Sequence, residues 1–116
     1  MNSYANKYSF ALRIIKAYKF LSEQKREFIL SKQLLRSGTA IGALCREAEH
    51  AQSKADFLNK MNIALKEANE TEYWLMLLKD SDFISIDSYD SIRNDCSELI
   101  KLLASIVKST KTSLNK

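Results

Sequence analysis

Apolar residues recur along this chain at alternating spacings of three and four, the period of helices packed in a bundle. Nowhere do they alternate with period two for long enough to make a strand. The first stripe runs Phe10, Ile14, Ala17, Leu21, and the second Leu34, Ser37, Ile41, Leu44, Ala48, Ala51. The third runs Phe57, Met61, Ala64, Ala68, Thr71, Leu75, Leu78, and the fourth Ile92, Cys96, Leu99, Leu103, Ile106, Thr110. These stripes predict helices at about 4–22, 31–52, 54–79 and 88–112.

Start signals agree with the stripes. Ser31 is placed to cap the second helix, with Leu30 and Leu35 as a hydrophobic staple. Ser53 is placed to cap the third, with Asp56 three residues on. Asp87 is placed to cap the fourth, and Asp90 adds negative charge near its start, where the helix dipole favours it. The connections come out at about eight, one or two, and about eight residues. Short links make sequential helices antiparallel, so the expected fold is all-α: an antiparallel up-down-up-down four-helix bundle in one domain, 1–116.

Composition sharpens that choice. The chain has no proline and only two glycines, Gly38 and Gly42, which disfavours a sheet with tight turns. At 116 residues it can bury a core without a metal or disulfide. The segment MNSYANKYSF lacks a basic region followed by an apolar run, and no stretch approaches the ~20 apolar residues of a membrane span. A cytoplasmic location is expected, with Cys45 and Cys96 as free thiols in apolar settings. The last residues, TSLNK, are expected to fray.

There is more apolar surface than one bundle needs. The first helix carries a second stripe, Tyr8, Ala11, Ile15 and Tyr18, about 100° around from the first. The third has Ile63, Trp74 and Leu77 on a face shared with Glu67 and Glu70. Tyr8, Ile15, Tyr18, Ile63, Trp74 and Leu77 are therefore candidates for an interface in a homo-oligomer. Gly38 and Gly42, four apart, each cost about 1 kcal/mol in a helix interior, which implies a close approach by another helix.

Charge is segmented. Residues 1–46 hold nine bases against two acids, residues 47–100 hold twelve acids against five bases, and the tail from Lys101 adds four lysines. Lys19, Lys25, Arg26, Lys32 and Arg36 cluster around the first connection as candidate phosphate contacts. In the expected topology Asp80, Asp82, Asp87 and Asp90 lie at the same end. A tight turn near Ser53 sets Arg36 opposite Glu70, a partly buried structural ion pair.

No site for chemistry emerges. Glu47 and His50 have the ExxH spacing of a di-iron bundle, but the chain has one histidine where that site needs two. The cysteines lie on or beside core stripes without a suitable base, and GTAIG is not a phosphate loop. No catalytic residue, metal or cofactor is expected.

The run RSGTAIGA at Arg36 to Ala43, the pair Glu47 and Ala48, SKADF from Ser53 to Phe57, and KEANETEYWL from Lys66 to Leu75 resemble the 23S ribosomal RNA intervening-sequence proteins of bacteria. The likeness runs from about Tyr8 to Leu78. It departs from the family pattern at Leu44 and Cys45, where an asparagine and a larger aliphatic are expected. The resemblance implies a small bundle assembling into a ring-like homopentamer without enzyme chemistry. It also implies kinship with accessory proteins of diversity-generating retroelements, which are associated with nucleic acid and a reverse transcriptase. The function expected is that of a non-catalytic oligomeric interaction protein contacting RNA or a ribonucleoprotein through a basic surface. The alternative is a protein-binding scaffold with no nucleic-acid role.

Overall fold

The computed structural model describes residues 3–115, with side chains from Asn6 onward. Met1, Asn2 and Lys116, the last of the four tail lysines, lie outside the described residues. Four helices follow one another: α1 (Ser3–Glu23), α2 (Leu30–Ala48), α3 (Lys54–Asp80) and α4 (Ile86–Leu114). Among the described residues there is no strand. Among the described residues no helix is long and apolar enough to cross a membrane.

The helix ends differ instructively from the sequence expectation. Ser31 does not cap α2. Glu27 does, its carboxylate accepting the backbone N–H groups of Ile29, Leu30 and Ser31 at 3.3, 3.1 and 2.8 Å. Ser31 is buried, and its hydroxyl donates to the Glu27 carbonyl. Glutamate thus does from three residues outside the helix what a short side chain does at the cap position. The cap of α4 is Ser85, whose hydroxyl accepts from the Ser88 N–H at 3.1 Å, and Asp87 falls within the first turn. Ser53 caps α3 as expected, accepting from the Asp56 N–H at 3.0 Å, while the Asp56 carboxylate accepts from the Gln52 N–H.

The link between α2 and α3 is five residues rather than one or two. Ser53 must be extended to cap (φ −156°, ψ 165°), so the chain leaves α2 at Ala48 through short-range bonds from Glu49, His50 and Ala51. At the other end of α3, Asp82 takes a left-handed conformation (φ 65°), and the N–H groups of Asp82 and Phe83 return to the carbonyls of Lys79 and Leu78. This is a Schellman closure made without glycine. α4 runs to Leu114, two residues beyond its expected end, and Lys116 of the tail TSLNK lies outside the described residues.

Each helix packs beside its sequence neighbour, and α1 also meets α4, more lightly. Contacts climb on one helix as they descend on the next. A Cβ on Gly38 would meet Ile14 and one on Gly42 would meet Lys7; across α3 and α4, Ala68 meets Cys96 and Glu72 meets Arg93. The molecule measures 51 × 25 × 21 Å.

The core follows the stripes with two shifts. Cys45 rather than Leu44 is buried on α2, and Val107 rather than Ile106 on α4. A straight helix falls behind a seven-residue repeat by about 20° per heptad, so the buried line takes an extra step of four. Two of the three fully buried hydroxyls meet inside this core: Thr71 Oγ1 lies 2.9 Å from Ser37 Oγ and 2.8 Å from the Glu67 carbonyl oxygen.

Candidate nucleic-acid interface

The first connection is built to present its bases outward. After α1, the left-handed Arg26 (φ 56°) reverses the chain, the Glu27 N–H returns to the Leu21 carbonyl, and the Glu27 carboxylate closes α2. Lys19, Lys25, Arg26 and Lys32 are all exposed. Lys25 Nζ lies 5.8 Å from the Phe20 ring centroid, a cation–π distance. Among the described residues no hydrogen bond or ion pair occupies the side chains of Lys19, Arg26 or Lys32.

Arg36 belongs to a different arrangement. Its guanidinium bonds the Glu67 carboxylate at 3.1 and 3.2 Å, reaches Gln33, and pairs with Glu70. Trp74 Nε1 donates to the same Glu70 oxygen at 3.1 Å. The pairing of Arg36 with Glu70 is therefore present, extended to Glu67, and it is partly buried: the Arg36 side chain is 49% exposed and that of Glu70 35%. Of the five candidate bases, four surround the connection and one is committed to α3.

The acids of the third connection are present at this end too. Lys25 and Asp82 line one and the same groove, and Asp80, Asp87 and Asp90 are exposed nearby in the chain. A second basic surface lies elsewhere. Lys101 and Lys108 share one exposed face of α4 with Ser105 and Thr112, since seven residues make about two turns. The tail's charge is visible in the sequence, but the hydroxyl-lined stripe needs the helical register.

The interface candidates divide. Tyr8 and Ile63 are exposed, at 56% and 39%, whereas Ile15, Tyr18, Trp74 and Leu77 are half-buried. Leu12 and Tyr73, both exposed, border these faces. Leu12 was available to sequence reasoning as the residue four beyond Tyr8. Tyr73 packs edge-on against Trp74, ring centroids 5.2 Å apart.

The remaining chemistry is structural. Glu47 and His50 are both exposed, and among the described residues no group of three or more His, Cys, Asp and Glu side chains converges on a metal position. Both cysteines are free and buried. Burial pushes the Cys96 thiol up to about 12, and its Sγ donates to the Ala68 carbonyl. Burial also raises Cys45, against the opposing pull of Lys7, which is itself 5% exposed. Sequence alone gives no sign that Lys7 is inside.

Comparison with known proteins agrees with this architecture. A family model described as the 23S rRNA-intervening sequence protein matches residues 1–105. The chain belongs to that family. A crystal structure from Bacteroides thetaiotaomicron, described as a protein of unknown function from the S23 ribosomal protein family, is similar to it at 59% identity. The match covers 90% of this chain and 97% of that one, with a TM-score of 0.89. No curated protein matches. In this member of the 23S rRNA-intervening sequence protein family, the residues that carry the resemblance meet across α2 and α3 and, at Gly38, receive α1. Arg36 reaches Glu67 and Glu70, Ser37 reaches Thr71, and Gly38 seats Ile14. Those motifs hold the bundle together.

Proposed function

We propose that this protein is a non-catalytic interaction module, an antiparallel up-down-up-down bundle that assembles into a homo-oligomeric ring in the cytoplasm and contacts RNA or a ribonucleoprotein through exposed bases. The observation that carries the RNA reading is the set of exposed cations Lys19, Arg26 and Lys32, which have no carboxylate partner among the described residues. Cations held this way can exchange condensed counterions for phosphates without first breaking internal ion pairs. Support for assembly comes from the apolar outer faces of α1 and α3, with Leu12 52% and Tyr73 53% exposed. The pentamer follows from the family resemblance alone.

The test is RNA binding measured against salt. Three phosphate contacts on single-stranded RNA predict a loss of about 20-fold between ~50 and ~200 mM salt. Replacing Lys19, Arg26 and Lys32 together by alanine should abolish most of that dependence. A flat salt response overturns the RNA reading and favours the protein-binding scaffold, and light scattering that returns a clean monomer overturns the ring.

A further inference from the structure

Where α1 faces the start of α4, the bundle is open. A groove of about 610 Å³ runs there, with core residues Leu21, Leu34, Leu78 and Ile92 at its floor and Phe20 and Ile86 on its walls. Its size is that of a small-molecule site, which is commonly about 300–1,000 Å³. Phe20 and Ile86 are 44% and 68% exposed, so the walls present apolar surface to water.

The rim is chemically one-sided. Its charged residues are Arg13, Lys16, Lys25 and Lys79 against the single carboxylate of Asp82. Two of the cations are already matched: Arg13 bonds Asp95 at 2.7 Å, and Lys79 bonds Asp80 at 3.2 Å while lying over the Tyr89 ring. Lys16 has no polar partner among the described residues, and Lys25 has only the Phe20 ring. Two ammonium groups against one carboxylate leave a surplus of one positive charge beside an apolar slot.

The geometry points to a ligand site for a free amphipathic monoanion, an aliphatic body in the groove with a single carboxylate head held by Lys16 and Lys25. The apolar body supplies the burial, and the charge surplus selects the head. This site adjoins the proposed oligomer face at Lys16, one turn beyond Leu12, and is turned toward α4. On α1, Lys16 and Phe20 project about 80–120° around from Tyr8, on the side toward α4, whereas Leu12 and Ile15 stay within about 40° of Tyr8.

Calorimetric titration of the full chain with decanoate tests it. Decanoate should bind once per chain, at least 10-fold more tightly than decanol, and acetate should not bind. The double variant Lys16→Gln/Lys25→Gln changes two exposed side chains, keeps the fold, and should reduce decanoate to the affinity of decanol. Ala17→Met, which narrows the groove, should weaken both ligands. Equal affinity for decanoate and decanol, several molecules bound per chain, or no effect of the double variant would overturn the site. So would tighter binding of decyl phosphate, which would assign a dianion. A solution mass that falls when Ile86→Asp is introduced would show that a second copy occupies the groove instead.

Discussion

Gly38 and Gly42 lie one turn apart on α2, face the same helix, and should respond to alanine in opposite directions. A methyl at Gly38 would sit 2.7 and 2.8 Å from the Cγ1 and Cγ2 atoms of Ile14, a fully buried residue. Ile14 is β-branched, with χ1 nearly fixed in a helix, so it cannot swing away. Overpacking of this kind costs about 1–3 kcal/mol, against a gain of about 1 kcal/mol from replacing a helical glycine by alanine. The net for Gly38→Ala is a loss of about 1 kcal/mol. A methyl at Gly42 would meet Lys7 at 3.7 Å, ordinary van der Waals contact, so there the helical gain stands and Gly42→Ala stabilises by up to about 1 kcal/mol. The two variants should differ by about 2 kcal/mol. With an unfolding entropy near 2.1 cal/mol/K per residue, that is a gap of about 8 °C in Tm.

Thermal melts followed by far-UV circular dichroism, at one fixed protein concentration because assembly shifts Tm, would measure it. A second comparison isolates the clash. Ile14→Val keeps both offending carbons, so Gly38→Ala should remain destabilising in that background. Ile14→Ala removes them, at a cost of its own of about 2–5 kcal/mol, and in that background the added methyl should become neutral or favourable. If Gly38→Ala melts at or above Gly42→Ala, the close seating of α1 on α2 is wrong.

Thr71→Val strands the buried Ser37 hydroxyl and should cost about 2 kcal/mol in urea titration, with Ser37→Ala/Thr71→Val recovering most of it. Arg36→Ala should cost about 1 kcal/mol or less, because its pairs are half-exposed and screened, and should shift Trp74 emission through Glu70. Arg26→Gly should stabilise by up to about 1 kcal/mol, seen as a higher Tm, since glycine holds φ 56° without the strain of a side chain. Cys96, raised to about 12, and Cys45, raised by burial, should resist a thiol reagent at pH 8 until the chain unfolds. Because the native thiols keep protons that the unfolded chain releases above about pH 8.5, stability should fall as pH rises from there toward about 12.

The helices were legible because their inward faces are written in the spacing of apolar residues. So was the pairing of Arg36 with Glu70, since the count back from a turn near Ser53 sets the register of α2 on α3. The caps of α2 and α4 were harder to read. Glu27 reaches Ser31 from four positions away, and at α4 the cap is Ser85, two residues before the expected Asp87. Leu44 and Cys45 were exchanged because both are apolar and adjacent, and only the accumulated drift of a straight helix separates them. Lys7 has nothing in its local sequence to mark it as buried; its Cβ lies 3.7 Å from where a side chain at Gly42 would begin, a proximity that only the packing of α1 on α2 shows.

The groove was the least legible feature, and its origin lies in Gly38. Periodicity tells which face of a helix turns inward but not how far its two neighbours stand from it. Gly38 lets Ile14 settle against the backbone of α2, so α1 is held toward α2 along that seam. Its other seam, with α4, is crossed by a polar bridge from Arg13 to Asp95 and Ser91. Ala17, the small residue of the α1 stripe, stays only half-buried beside that gap. A helix packed against one neighbour through a missing side chain must give up contact with the other unless larger residues fill the far side, and here they do not. If that account is right, Gly38→Ala should do more than destabilise: by pushing α1 outward it should also change decanoate binding, whereas Gly42→Ala should leave it unchanged.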